Sequence, residues 1–136
     1  MPQTVLFLCP HGAAKSVLAA ALFRRLAAER GLSLQAACAG TEPDPIIAPH
    51  VRELLSQEGL ELPLERPQLV TEELLSKATR VISMGCTQDA FPSELKHWEV
   101  WDDVPSPSQN LHGAYTCIQH HLEVWAETFS AKQRDV

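Results

Sequence analysis

Apolar residues along the chain fall in short blocks, separated by polar stretches that contain proline and glycine. Thr4 to Leu8 reads TVLFL, an unbroken run with β-branched and aromatic residues, which predicts a strand buried on both faces. Cys9 to Lys15 is a loop containing Pro10 and Gly12. Ser16 is then expected as the N-cap of the helix VLAAALFRRLAAER, which ends at Gly31. Leu34 to Ala39 predicts a second short strand, closed by Gly40. A loop rich in Pro and Asp covers Thr41 to Pro49, and Val51 to Glu58 reads as a helix stopped by Gly59. Thr71 caps a shorter helix through Lys77, and Thr79 to Met84 is a third strand. Gly85-Cys86 opens a loop through Pro92. Glu99 to Trp101 is a fourth short strand, Asp102 to Gln109 a loop with Pro105 and Pro107, and Leu111 to Phe129 the last helix.

Strands alternating with helices indicate βαβ units. The expected fold is therefore a three-layer α/β domain, with a parallel sheet of about four strands and helices on both faces. With 136 residues, no internal repeat and no linker, the chain reads as a single domain over 1–136. In such sheets ligands bind beyond the carboxyl ends of the strands. Attention therefore falls on the loops after Leu8, Met84 and Trp101.

Composition narrows the function classes. The chain is 45% hydrophobic and 21% charged, ordinary values for a globular protein, with no apolar run long enough for a bilayer. The N-terminus has no basic region, so it reads as a first strand and not as a signal peptide; the expected compartment is the cytoplasm. A net charge of -6 disfavours nucleic acid as a partner, while a small anion can still be held by local dipoles. The four cysteines, Cys9, Cys38, Cys86 and Cys117, form no C-x-x-C pair and no zinc spacing. Buried or reactive thiols remain.

The segment Cys9-Pro10-His11-Gly12-Ala13-Ala14-Lys15-Ser16 joins a strand end to a helix start. A helix N-terminus offers unpaired N–H groups and a partial positive charge, which suit an anion. The small residues Gly12, Ala13 and Ala14 let the backbone curl around a ligand. Lys15 adds a full charge, and Ser16 can donate to a sulfur. All of these favour the thiolate of Cys9, its nucleophilic form. The alternative is a packed strand-end thiol beside a solvated lysine. A nucleotide-binding G-x-x-x-x-G-K-[ST] loop is a weak match, since Cys9 and Ala14 stand where that pattern needs glycine.

CPHGAAKS resembles the C-x5-R-S motif of the low-molecular-weight protein tyrosine phosphatase superfamily, which includes the thiol-linked arsenate reductases. ACAGT at Ala37 to Thr41 is similar to its S-A-G-T segment, and Pro43-Asp44-Pro45 follows. VISMGC at Val81 to Cys86 is similar to the V-I-T-M-G-C strand end of an arsenate reductase branch. The segment from Trp98 to Pro107 and the last helix continue the resemblance over nearly the whole chain. It implies a phosphotyrosine phosphatase I-like fold and an enzyme, either arsenate reductase or phosphatase. Cys9 would be the nucleophile, and His11, Gly12, Ala13, Ala14, Lys15 and Ser16 would hold an oxyanion such as arsenate, phosphate or sulfate. No bound cofactor is implied. A reductase would need an external thiol partner: thioredoxin, mycothiol or glutathione.

Several positions depart from the family pattern. The family arginine is Lys15, a point charge in place of a planar fork. Pro10 gives no N–H to the cradle, and Gly12 replaces a bracing asparagine. Matching WDDVPSP to W-D-V-P-D-P places Ser106 at the acid position. Matching from Trp98 places Asp102 there, with Asp103 following; either aspartate is a candidate acid or a solvated loop residue. Cys86 is the candidate resolving thiol or a buried one. The third cysteine of the thioredoxin-linked relay would fall near Phe91-Pro92 and is absent. A non-catalytic module that binds an oxyanion or a partner is the remaining alternative. Cys38 reads as core. Cys117 and His121 stand at i, i+4 but lack a clear third ligand, so no metal is expected there. His11 could charge the loop or simply face solvent, and Trp98, Trp101, Tyr115 and Trp125 read as packing residues.

Overall fold

In the computed structural model, residues 3–85 and 98–134 are described. Along the described chain the order is β1 (Gln3–Cys9), α1 (Lys15–Glu29), β2 (Leu34–Gly40), α2 (Pro49–Gln57), α3 (Glu72–Lys77), β3 (Arg80–Ser83), β4 (Trp98–Val100) and α4 (Leu111–Arg134). The strands form one sheet in the order β2-β1-β3-β4, and every pairing is parallel.

The two-residue period of β1 divides its side chains between two layers. Val5, Phe7 and Cys9 face the larger core, shared with Phe23 of α1, Leu55 of α2 and Ile118 of α4. Leu6 and Leu8 face the other side, against Leu75 of α3. This double burial explains the unbroken apolar run. Phe7 sits at the centre of the larger layer, with ring centroids 5.6 Å from Phe23 and 6.0 Å from Trp101. No described helix is long and apolar enough to cross a membrane.

Because β1 lies between β2 and β3, the strand order reverses at β1, which makes its carboxyl end a topological switch point. Cys9 is the last residue of that strand, opposite Gly40 of β2.

Ser16 is not the N-cap that the residue pattern suggests. Helix α1 begins at Lys15 with Ala14 in the cap position, and no side chain closes the first turn. The physical reason is burial: Ser16 is fully enclosed, and its hydroxyl bonds the Cys9 thiol instead of the helix backbone. The first-turn N–H groups are thereby left to other acceptors. Thr71 does cap α3, accepting from the Leu74 N–H at 3.1 Å. The loop expected from Cys86 to Pro92 lies outside the described residues.

Candidate active site

Cys9 is nearly buried, and its thiol donates to Ser16 Oγ at 3.2 Å. A hydroxyl can both accept and donate, so the same pair supports the thiolate once the Ser16 proton turns toward sulfur.

The loop after Cys9 is held from outside. The carbonyls of Pro10, His11 and Ala13 accept from the N–H groups of Glu42 (2.7 Å), Asp44 (3.0 Å) and Ala48 (3.0 Å). Among the described residues, the N–H groups of His11, Gly12, Ala13 and Ala14 meet no hydrogen-bond acceptor. A loop with its carbonyls bound outward and its amides unengaged, leading into an uncapped helix, has the electrostatics that suit an anion. Lys15, the first helical residue, is partly buried and makes no ion pair among the described residues. The His11 imidazole turns to the Asp44 carboxylate, 3.2 Å away, and both side chains are exposed.

Two glycines set the loop's position. Gly12 has φ +59, in the left-handed region. Gly40 packs against it so closely that a Cβ there would stand 2.6 Å from Gly12 N and 2.8 Å from the Pro10 carbonyl oxygen. On its other side Gly40 is fixed by hydrogen bonds with Gln68 and Val70, each 2.9 Å. The sequence pointed to the A-G-T segment only through resemblance; its buttressing role follows from the approach of two backbones.

The remaining candidates separate. Asp102 is exposed. Asp103 Oδ1 lies 2.7 Å from His121 Nε2, and this hydrogen bond holds the Asp103 carboxyl below its ordinary pKa. The Cys117 thiol faces the Asp103 carbonyl at 3.7 Å; burial, then the nearby Asp103 charge, push that thiol up. Trp101 is buried, as a packing residue should be, and stacks on the His121 ring at 4.4 Å. Asp103 is thus the third donor that spacing along the chain did not show beside Cys117 and His121. Cys86 lies outside the described residues.

Cys38 is core, two residues along β2 from the partner of Cys9. Burial, reinforced by the Cys9 charge, pushes its thiol up to about 12. It is expected to resist iodoacetamide at neutral pH in the native protein and to react in denaturant, as read by peptide mass spectrometry. Modification of native Cys38 would contradict its placement.

Known proteins are similar to this chain in sequence family and fold. The family model for low molecular weight phosphotyrosine protein phosphatase matches residues 4–134. No curated protein sequence matches. A thioredoxin-dependent arsenate reductase of Corynebacterium glutamicum is similar at TM-score 0.82 and 26% identity, over 96% of this chain and 63% of that one. The chain therefore spans less than two thirds of that protein's length. An arsenate reductase of Archaeoglobus fulgidus gives TM-score 0.69 and 28% identity over 92% of this chain and 97% of the other. A low molecular weight phosphotyrosine phosphatase of Vibrio cholerae shares the fold, at TM-score 0.84 and 18% identity over 96% and 98%. With the family match running from β1 to the end of α4, the chain belongs to the low molecular weight phosphotyrosine protein phosphatase family, whose structural neighbours include both phosphatases and arsenate reductases.

Proposed function

We propose that this chain is a cysteine-dependent arsenate reductase. The observation that carries the reading is the Cys9–Ser16 pair beneath a loop whose carbonyls are bound outward and whose amides are unengaged among the described residues. In this reading the backbone of His11 to Ser16 and the Lys15 ammonium hold arsenate, and Cys9 is the nucleophile.

The Cys9 thiolate attacks arsenic(V), forms an S–As bond and expels a hydroxyl as water. A second thiol then attacks Cys9 sulfur. The S–As bond breaks, its electron pair stays on arsenic, and arsenite leaves. The two thiols are oxidised to a disulfide and arsenic is reduced by two electrons. The second thiol is Cys86 or an external one of the thioredoxin, mycothiol or glutathione class; the name of the Corynebacterium relative, thioredoxin-dependent, supports an external partner. Such chemistry suits a reducing compartment such as the cytoplasm.

Acid supply favours reduction over ester hydrolysis. An alkoxide or phenoxide leaving group needs a positioned acid, whereas the arsenate hydroxyl makes a smaller demand. Ser106 occupies one alignment of the acid position, and its hydroxyl lies 2.9 Å from that of Ser108. The Asp103 carboxylate is engaged by His121. Asp102 is the aspartate left for a phosphatase reaction.

One turnover of reduced protein with arsenate tests the proposal, with arsenite assayed and new disulfides mapped by mass spectrometry. Arsenite with oxidised Cys9 supports it. Hydrolysis of p-nitrophenyl phosphate without arsenite, even with added thiols, would assign the site to a phosphatase. Lys15→Arg supplies the fork and is expected to raise kcat/KM for arsenate about tenfold. Zero activity in both proteins with retained arsenate binding would instead indicate an oxyanion-binding module.

A further inference from the structure

Three chemically different donors meet where the loop after β4 crosses α4. Cys117 and His121 share one face of that helix, one turn apart, and Asp103 reaches them from the loop. One donor atom from each, the Asp103 carboxylate oxygen, the Cys117 sulfur and a His121 ring nitrogen, lies within 4.8 Å of the other two. Trp101, stacked on the imidazole, fixes the ring plane. Among the described residues, none of the three donors hydrogen-bonds to Cys9 or Ser16.

We infer that Asp103, Cys117 and His121 form a binding site for a divalent cation of the zinc class. The donor set is the argument. Thiolate, imidazole and carboxylate together suit a borderline-soft ion, whereas calcium and magnesium take oxygen donors. The spacing is near what zinc needs: bonded at about 2.0–2.3 Å to tetrahedral ligands, it places those ligands roughly 3.3–3.6 Å apart, against donor atoms that lie within 4.8 Å of one another. The Asp103–His121 contact of 2.7 Å must open by about half an ångström to admit the ion. That is within reach of a carboxylate 59% exposed on a loop. Three protein ligands leave a fourth position for water or an outside donor. Binding exchanges the Cys117 proton for the metal and joins the Asp103 loop to α4 through three metal bonds in place of two hydrogen bonds.

The test is titration of the reduced full-length chain with zinc by calorimetry, and with cobalt(II) by absorption. One equivalent is expected, with a thiolate-to-cobalt charge-transfer band. Cys117→Ser should remove that band, and His121→Gln and Asp103→Asn should each weaken zinc binding by at least about tenfold, while Cys9→Ser should leave stoichiometry and band unchanged. Circular dichroism shows that each variant folds, and a misfolded variant is replaced by Cys117→Ala or His121→Asn. Absence of zinc binding, or binding that survives Cys117→Ser with His121→Gln, would overturn the assignment. So would a band that disappears in Cys9→Ser.

Discussion

Cys9→Ser is expected to abolish arsenite formation, lowering single-turnover yield by on the order of 10⁴-fold or more. A serine oxygen at neutral pH is neither a comparable nucleophile nor a group that can be oxidised to a disulfide, so both steps of the proposed reaction are lost. The variant should still fold, because the replacement keeps a small side chain able to bond Ser16 Oγ at the end of β1. It should also still bind arsenate or phosphate, since the amides of His11 to Ala14 and the Lys15 charge are untouched. Calorimetry with phosphate, beside the arsenite assay, separates these effects. Arsenite formation near the wild-type level in this variant would remove Cys9 from the mechanism.

Gly40→Ala should have the second-largest effect, although Gly40 touches no substrate in the proposed reaction. Its added methyl would stand 2.6 Å from Gly12 N, 2.8 Å from Pro10 O and 2.9 Å from the His11 carbonyl carbon, all of them backbone atoms. Backbone cannot rotate aside as a flexible side chain can, so β2 and the loop must separate. Overpacking of this kind costs about 1–3 kcal/mol of stability. A loop displaced by about 1 Å lowers kcat/KM by roughly 100-fold. Urea unfolding and the arsenite assay measure the two consequences. Gly31→Ala is the control: nothing lies within 4 Å of its added methyl, so its φ of +64 strains stability alone. Wild-type activity in Gly40→Ala would mean that the buttress does not position the cradle.

Much of this protein was legible in one dimension because its elements are locally coded. The run TVLFL reads as a doubly buried strand because Val5 and Phe7 pack toward one layer and Leu6 and Leu8 toward the other. Thr71 reads as a cap because the bond it makes spans only three residues. The expected strand before Leu111–Arg134 shifted by a single residue, to Trp98–Val100. Cys9 stood out because a thiol at a strand end before small residues and a helix is a pattern complete within one short segment.

Ser16 shows where local reading stops. Its residue type favours capping, yet burial beside Cys9 gives its hydroxyl a different partner and leaves the first turn uncapped. The backbone donors of Glu42, Asp44 and Ala48, which turn the loop carbonyls outward, are 30 or more positions away along the chain and carry no side-chain signature. Gly40 matters through the atoms it admits, which only the approach of β2 to the loop decides. Asp103 read as a candidate acid, while Cys117 and His121 read as a pair without a third ligand. The crossing of the β4 loop over α4 joined them. The sequence by itself determined the alternating elements, the parallel α/β class and the candidate nucleophile, because hydrophobic period and turn chemistry act between near neighbours. The tertiary structure decided that Ser16 bonds Cys9 without also capping α1, which distant N–H groups hold the loop carbonyls and which donors converge, because those contacts join residues that only folding brings together.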